Sequence, residues 1–259
     1  MDVANFIAEH RIQSDEISWV TPTGIDSSLD ILTNLPSERL NVDTFSEVRI
    51  VDVGCGAGVL TEALAKTYPS ATILGIEYAS AAYRIAQQRL DSYDNTTIIG
   101  GDASGVLQEI GQFDFVFAIN MVQDTEHPIQ ILQQLSHSLK PSGVLAVTAP
   151  SNHATDIFSE FTHYDTELDL PYMKMDDITV DGDVTTWKQY AFPDDRFEEI
   201  VQDCGLRIAD RDELAADATG LLYPMQLLGD DDRLAWAESL IEKQQTDPAA
   251  GPTVPLYIM

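Results

Sequence analysis

Cysteine is nearly absent from this chain: Cys55 and Cys204 are the only two in 259 residues. One sits in a glycine-rich run and the other in an amphipathic helical pattern, so neither a disulfide framework nor a cysteine-based metal cluster is available. Each is expected to be a small buried residue, and no metal site is expected. Basic residues are scarce as well, with 14 Lys and Arg against 43 Asp and Glu, a formal net charge of -29. Contact with phosphates requires a basic footprint, so nucleic acid is not an expected partner. No apolar stretch reaches the roughly 18 residues that would span a bilayer. The opening MDVANFIAEHR carries early acids and no basic region ahead of an apolar run. The expectation is a cytoplasmic protein without a membrane partner.

What is present is acid, and it is spread along the whole chain. Short clusters recur at Asp176-Asp177, Asp194-Asp195 and Asp230-Asp231-Asp232. Disorder does not account for them, because a hydrophobic content of 44% with periodic segments belongs to a folded chain. A uniformly acidic surface of this kind resembles that of proteins from halophilic archaea, where molar salt screens the self-repulsion that opposes a compact state.

From about residue 48 onward, β-rich runs alternate with helical runs, the pattern of a doubly wound, mostly parallel α/β sheet. Strands are predicted at Val48–Val53, Thr72–Glu77, Thr97–Gly100, Asp114–Ile119 and Gly143–Ala149. Helices are predicted at Gly58–Thr67, Ser80–Leu90 and Pro128–Leu139, the last with Ile129, Leu132, Leu135 and Leu139 at helical spacing. The rhythm breaks after Pro150, and residues 151–190 read as an irregular, aromatic insert. A helix resumes at about Asp194, burying Phe197, Ile200, Val201 and Cys204, with Gly205 just past its end. A strand at Leu206–Ala209, mostly helical residues over 212–246 and a final strand at Thr253–Met259 complete the prediction. The domain organisation is therefore a single domain over 1–259. It comprises an N-terminal helical cover (1–47), a cofactor-binding core (48–150), an insert or lid (151–190) and C-terminal helices and strands (191–259).

The most informative run is Val51-Asp52-Val53-Gly54-Cys55-Gly56-Ala57-Gly58-Val59-Leu60. It follows a strand and opens a helix, placing a turn without side chains over the carboxyl ends of the strands. A dinucleotide fingerprint G-x-G-x-x-G would need glycine at position 59, where this chain has Val59. The acid at Asp52, two residues ahead of the first glycine, favours a cationic ligand over a pyrophosphate, which it would repel.

On these residues the chain resembles the class I S-adenosylmethionine-dependent methyltransferases, whose first motif D/E-x-G-x-G-x-G is matched by Asp52, Gly54, Gly56 and Gly58. The likeness continues through Glu77 at the end of the second strand, Gly101-Asp102-Ala103 after the third, Phe113–Asn120 as the fourth motif, and Leu139-Lys140-Pro141-Ser142-Gly143-Val144-Leu145 leading into strand five. The resemblance covers about residues 48–150. It implies a Rossmann-like seven-stranded sheet with an insert after strand five and S-adenosyl-L-methionine as cofactor. The implied cofactor-binding residues are Asp52, Gly54, Cys55, Gly56, Gly58, Glu77, Tyr78, Asp102, Ala103, Asn120 and Met121. Glu77 would accept the ribose hydroxyls, Asp102 would face the adenine amino group, and Asn120 would lie beside the methionine moiety. Bland roles stand beside these: Asp102 as a helix N-cap, Asn120 as a turn residue, and the glycines as helix–sheet packing.

The chemistry so implied is an in-line displacement in which alignment is the main task and a general base is optional. No catalytic residue is identified. Asp124 and His127 after strand four, and His153, His163, Tyr164 and Tyr190 in or beside the insert, are candidates, with His127 read as a helix cap. Absent motifs narrow the acceptor. Asn120-Met121-Val122-Gln123 replaces the N/D-P-P-Y/F/W of amino-methylating enzymes of adenine or glutamine, and the Pro-Cys nucleophile of cytosine-C5 enzymes is missing. A small-molecule methyl acceptor under an aromatic lid is the leading expectation. The alternatives are a methyltransferase acting on protein or RNA, and a non-catalytic S-adenosylmethionine-binding protein. None of these motifs encodes the oligomeric state.

Overall fold

A computed structural model describes residues 28–44, 46–150, 163–178, 184–215 and 253–259. Its elements in chain order are α1 (Leu29–Leu40), β1 (Arg49–Val53), α2 (Val59–Thr67), β2 (Thr72–Glu77), α3 (Ser80–Leu90), β3 (Thr96–Gly100), α4 (Ala103–Glu109), β4 (Phe113–Ala118), a 3-10 turn (Val122–Asp124), α5 (Pro128–His137), β5 (Leu139–Thr148), β6 (His163–Asp165), β7 (Leu170–Ile178), β8 (Val184–Tyr190), α6 (Asp194–Asp203), β9 (Asp210–Ala215) and β10 (Thr253–Ile258). No helix among the described residues is long and apolar enough to cross a membrane.

Seven strands form one sheet in the order β3-β2-β1-β4-β5-β10-β9. The pairs from β3 to β5 are parallel, and β10 runs antiparallel to both of its neighbours. This is the predicted fold class: a doubly wound, mostly parallel α/β sheet. Its central strands are buried on both faces, so side chains alternate between two cores. Val51, Val53, Val116 and Ala118 enter one core, where they meet Leu107 of α4, Ile131 and Leu135 of α5, and Phe197 and Ile200 of α6. Ile50, Ile73, Phe115 and Phe117 enter the other, against Leu32 and Leu35 of α1 and Leu60 and Leu64 of α2. Truncating any of these buried leucines to alanine should cost about 2–5 kcal/mol.

The helix ends follow from local chemistry. Pro128 occupies the first turn of α5, where its missing N–H removes nothing. Gly205, at φ 75°, ends α6. Its amide donates to Gln202 O at 2.9 Å and the Leu206 amide donates to Val201 O at 3.0 Å, the paired bonds of a Schellman stop.

Several predicted elements are corrected. Within the predicted irregular insert, residues 163–178 and 184–190 are not irregular: β6, β7 and β8 make a separate three-stranded antiparallel sheet, held by pairs such as Tyr172 with Tyr190, while residues 151–162 and 179–183 lie outside the described residues. The strand predicted at Leu206–Ala209 lies at Asp210–Ala215, where pairing with β10 overrides the polar composition of the segment. The predicted helix over 212–246 is therefore wrong for 212–215, and its remainder lies outside the described residues. Strand β5 begins at Leu139 rather than Gly143, and α5 ends at His137. Ser142 takes a left-handed φ of 68°, and the register to β4 shifts between Phe113 and Phe115, so the Pro141-Ser142 turn is absorbed into the strand as an irregularity. Of the N-terminal cover, α1 is described and packs on the sheet; residues 1–27 lie outside the described residues.

Candidate functional site

The sheet reverses its winding between β1 and β4, so the crevice over their carboxyl ends is where a ligand of such a fold is held. The loop from Gly54 to Gly58 leaves β1 there. Gly54, Gly56 and Gly58 all have positive φ, at 73°, 55° and 78°. At Gly54 a Cβ would stand 2.7 Å from the Met121 Cβ, so only glycine lets the loop and the segment after β4 approach this closely.

The loop amides are largely committed inward. Gly54 N and Cys55 N both donate to Ile76 O (2.8 and 3.0 Å), and Gly58 N donates to Cys55 O at 2.9 Å. Gly56 N donates to Glu77 Oε2 at 2.8 Å. A phosphate cradle needs such amides free and pointing outward. Here they are spent, and two buried carboxylates stand behind the loop instead.

Those carboxylates are Asp52, 2% exposed, and Glu77, 6% exposed. Asp52 Oδ2 accepts a 2.6 Å bond from the Thr61 hydroxyl on α2. Burial pushes the Asp52 carboxyl up to about 6 against the opposing pull of that bond, and the nearby Glu77 charge pushes it further the same way. Glu77 Oε1 accepts from the Ala79 amide at 2.7 Å, so its two oxygens join the end of β2 to the glycine loop. Burial raises the Glu77 carboxyl, while the amides of Ala79, Gly56 and Tyr78 resist that rise. Two desolvated acids near one another are a poor setting for an anion and a favourable one for a ligand bearing positive charge and hydroxyl donors.

The other predicted positions lie along the same edge. Tyr78, directly after Glu77, is 81% exposed. Asp102 is exposed at the N-cap of α4 with no side-chain capping bond, which leaves its capping role unfilled, and Ala103 is the first residue of that helix. Asn120 adopts a left-handed φ of 53°; its amide donates to Thr148 Oγ1 at 2.7 Å, and the same hydroxyl donates to Asn120 Oδ1 at 3.2 Å. Met121 follows, packed over Gly54. The Cys55 side chain packs inward on β2, where a Cβ on Gly75 would meet its sulfur at 2.9 Å. Burial pushes its thiol well up, so it is a packing residue and not a reactive one.

The candidate bases scatter. Asp124 closes the 3-10 turn that begins beside Met121. Its Oδ1 accepts from Gln189 Nε2 of β8 at 2.7 Å and its Oδ2 from Gln123 Nε2 at 3.0 Å. Burial pushes the Asp124 carboxyl up to about 6, opposed by Gln189, Trp187 and Gln123. His127 occupies the N-cap position of α5 without a capping bond. His163 stacks on Tyr172, with ring centroids 5.2 Å apart, and Tyr164 bonds Asp169 on the exposed β6 side. Tyr190 is buried, with its hydroxyl 3.3 Å from Asp165 Oδ2. His153 lies outside the described residues. Sequence reasoning missed Thr61, Thr148 and Gln189. Thr61 partners Asp52 across the β1–α2 turn, Thr148 partners Asn120 from 28 residues away, and Gln189 is brought to Asp124 only by the second sheet.

Comparison with known proteins returns one consistent likeness. A family model described as "Methyltransferase domain" matches residues 44–191. A trans-aconitate 2-methyltransferase from Deinococcus radiodurans is 37% identical over 107 residues, which cover 40% of this chain and 39% of that protein. A ubiquinone biosynthesis O-methyltransferase from Actinobacillus pleuropneumoniae is 26% identical over 136 residues, covering 49% of this chain and 57% of that protein. The chain thus spans less than two thirds of the length of these curated relatives. Among solved structures, a sarcosine dimethylglycine methyltransferase, itself described as putative, from Galdieria sulphuraria superposes with a TM-score of 0.59 at 14% identity, over 89% of this chain and 84% of the other, a likeness of fold.

Proposed function

We propose that this chain, which belongs to the class I S-adenosylmethionine-dependent methyltransferase family, transfers the methyl group of S-adenosylmethionine to a small organic acceptor. When bound, the cofactor supplies an electrophilic methyl group on a sulfonium. The observation that carries the reading is the loop whose amides turn inward around two buried carboxylates, a site that disfavours phosphate and suits a cationic adenosyl compound.

In this reading Glu77 accepts the ribose hydroxyls with lone pairs not used by Gly56 and Ala79, and Asp102 takes the adenine amino group. Tyr78 covers the ring, Asn120 and Met121 flank the methionine end, and Asp52 sets the negative potential beneath the glycine loop. The protein's contribution is then chiefly positional. Holding the acceptor in line can supply roughly 7–11 kcal/mol of the barrier. Residues 48–150 act as the cofactor-binding core and 151–190 as the lid, within one domain over 1–259. A small acceptor accords with the lack of a basic footprint, 14 Lys and Arg against 43 Asp and Glu. It also accords with the names of the matched relatives, a trans-aconitate 2-methyltransferase and a ubiquinone biosynthesis O-methyltransferase. We place the protein in the cytoplasm of a cell that accumulates molar salt.

Calorimetry in molar KCl tests the first half of the reading. S-adenosylmethionine should bind to the folded protein, and absence of binding defeats the proposal. Transfer of a labelled methyl group tests the second half. Label should enter compounds of a filtered metabolite extract; label entering protein or RNA instead would move the acceptor to a macromolecule, and binding without transfer into either would leave a cofactor-binding protein that is not an enzyme.

A further inference from the structure

The turn after β4 carries a polar pair that the cofactor site does not use. Asp124 N donates to Met121 O at 3.1 Å, which places this carboxylate one turn from the residue packed on Gly54. Gln123, only 6% exposed, donates its Nε2 to Asp124 Oδ2. That bond fixes the amide orientation, because the flipped amide would set oxygen against carboxylate oxygen. Gln123 Oε1 is consequently a buried acceptor, and it meets no donor among the described residues. A buried acceptor without a donor costs about 1–3 kcal/mol, a cost that a ligand's N–H or O–H would remove.

Among the described residues, the cation next to this pair on β8 is not positioned to change its polarity. Lys188 neighbours Gln189 on β8, but alternation along a strand turns it to the other face. There its Nζ lies 2.7 Å from Asp165 Oδ2 and 4.6 Å from the Tyr172 ring centroid. The groups that hold Asp124, namely Gln189, Gln123 and Trp187, are all neutral.

We propose that Asp124 and Gln123 form the acceptor-recognition pair of this enzyme, and that they select a neutral or cationic amine or hydroxyl compound through its N–H or O–H groups while rejecting polycarboxylates. This rests on the methyltransferase reading above and narrows its acceptor class. Burial pushes the Asp124 carboxyl up to about 6 against the pull of those three groups, which leaves it charged at neutral pH and a strong acceptor of such bonds.

The test uses the full chain saturated with S-adenosylhomocysteine in molar KCl at pH 7.5, with tyramine as the donor-bearing probe and tricarballylate as the polycarboxylate probe, followed by NMR titration. Tyramine should bind saturably and about 10- to 100-fold more tightly than tricarballylate. Asp124→Asn should reverse that preference. The new Asn keeps an oxygen toward Gln189 and presents its NH2 to Gln123, whose amide must flip and turn its own NH2 toward the ligand. Gln123→Leu should weaken tyramine about 10-fold without improving tricarballylate. Tighter binding of tricarballylate to the unmodified protein, tyramine binding unchanged in Asp124→Asn, or no saturable tyramine binding at millimolar concentration would each overturn the assignment. Binding of S-adenosylhomocysteine, measured first on every variant, reports folding. Its failure in the unmodified protein would bring down the methyltransferase reading itself, an outcome distinct from a wrong acceptor class.

Discussion

Substituting Gly54 by alanine isolates what the first glycine of the loop does. The new Cβ would lie 2.7 Å from Met121 Cβ and 3.1 Å from Met121 Cγ, at a backbone φ of +73°. Two costs follow. A left-handed conformation costs a residue with a Cβ about 1–2 kcal/mol. Overpacking of a tight contact costs about 1–3 kcal/mol more. The total, about 2–5 kcal/mol, is a large part of the 5–15 kcal/mol by which domains are typically stable. Urea unfolding at fixed molar KCl would measure it, with m-values compared to verify that only stability has changed. The two costs separate in a double-mutant cycle. Met121→Ala keeps the Cβ that makes the closest contact, whereas Met121→Gly removes it. Gly54→Ala should therefore be rescued by Met121→Gly by about 1–3 kcal/mol and clearly less by Met121→Ala, with the backbone cost surviving in both. A Gly54→Ala protein destabilised by less than about 1 kcal/mol, or equal rescue by the two partners, would refute the steric account.

Three further outcomes are expected. Glu77→Gln turns an NH2 group toward one of the two amides that now donate to the carboxylate, which should cost about 1–3 kcal/mol in unfolding and weaken S-adenosylmethionine in calorimetry by at least about 10-fold; an unchanged affinity would remove Glu77 from the site. Asp52, raised to about 6 when folded, holds its proton more tightly than in the unfolded chain, so its contribution is fully present below about pH 4 and is lost as pH rises through about 6. Relative to Asp52→Asn, the unmodified protein should lose about 1–3 kcal/mol of stability between pH 4 and 7 in denaturant titrations, and parallel pH profiles for the two would contradict the assignment. A net charge of -29 should make folding depend on salt, with thermal unfolding followed by circular dichroism shifting upward from about 0.1 M to 1 M KCl, as the screening length falls from about 10 to 3 Å; an unshifted midpoint would disprove the salt-adapted reading.

The core was legible because its signals are local. Thr72–Glu77 and Ser80–Leu90 are found as predicted, since period-two and 3.6-residue patterns, together with the glycine loop between β1 and α2, each lie within about a dozen residues. Legibility fell where partners are distant. The segment Asp210-Arg211-Asp212-Glu213 has almost no β-propensity, and it is a strand because β10, some 40 residues onward, supplies its hydrogen bonds. The antiparallel pairing of β7 with β8 was not legible either, because the aromatic residues of the segment suit an irregular cover as well as a strand. At the candidate site, the motif residues Gly54, Gly56, Glu77 and Met121 meet at one end of the sheet, a juxtaposition that their order along the chain implies. Their states did not follow from sequence: that Asp52 is sealed against Thr61, and that Asp102 makes no capping bond, depend on packing that no motif records.

Strand β10 has a consequence for how the polypeptide comes to be folded. It lies between β5 and β9, and Leu145 and Met259 exchange hydrogen bonds in both directions at 2.8 and 2.9 Å. During synthesis β1 to β5 leave the ribosome well before residues 253–259 do, so for that interval β5 is an open edge carrying the apolar Val144, Leu145 and Val147. Such an edge pairs readily with other chains. Retention by a chaperone, or a translation rate slow enough to keep nascent copies apart, would then govern the yield of soluble protein more than the stability of the finished sheet does.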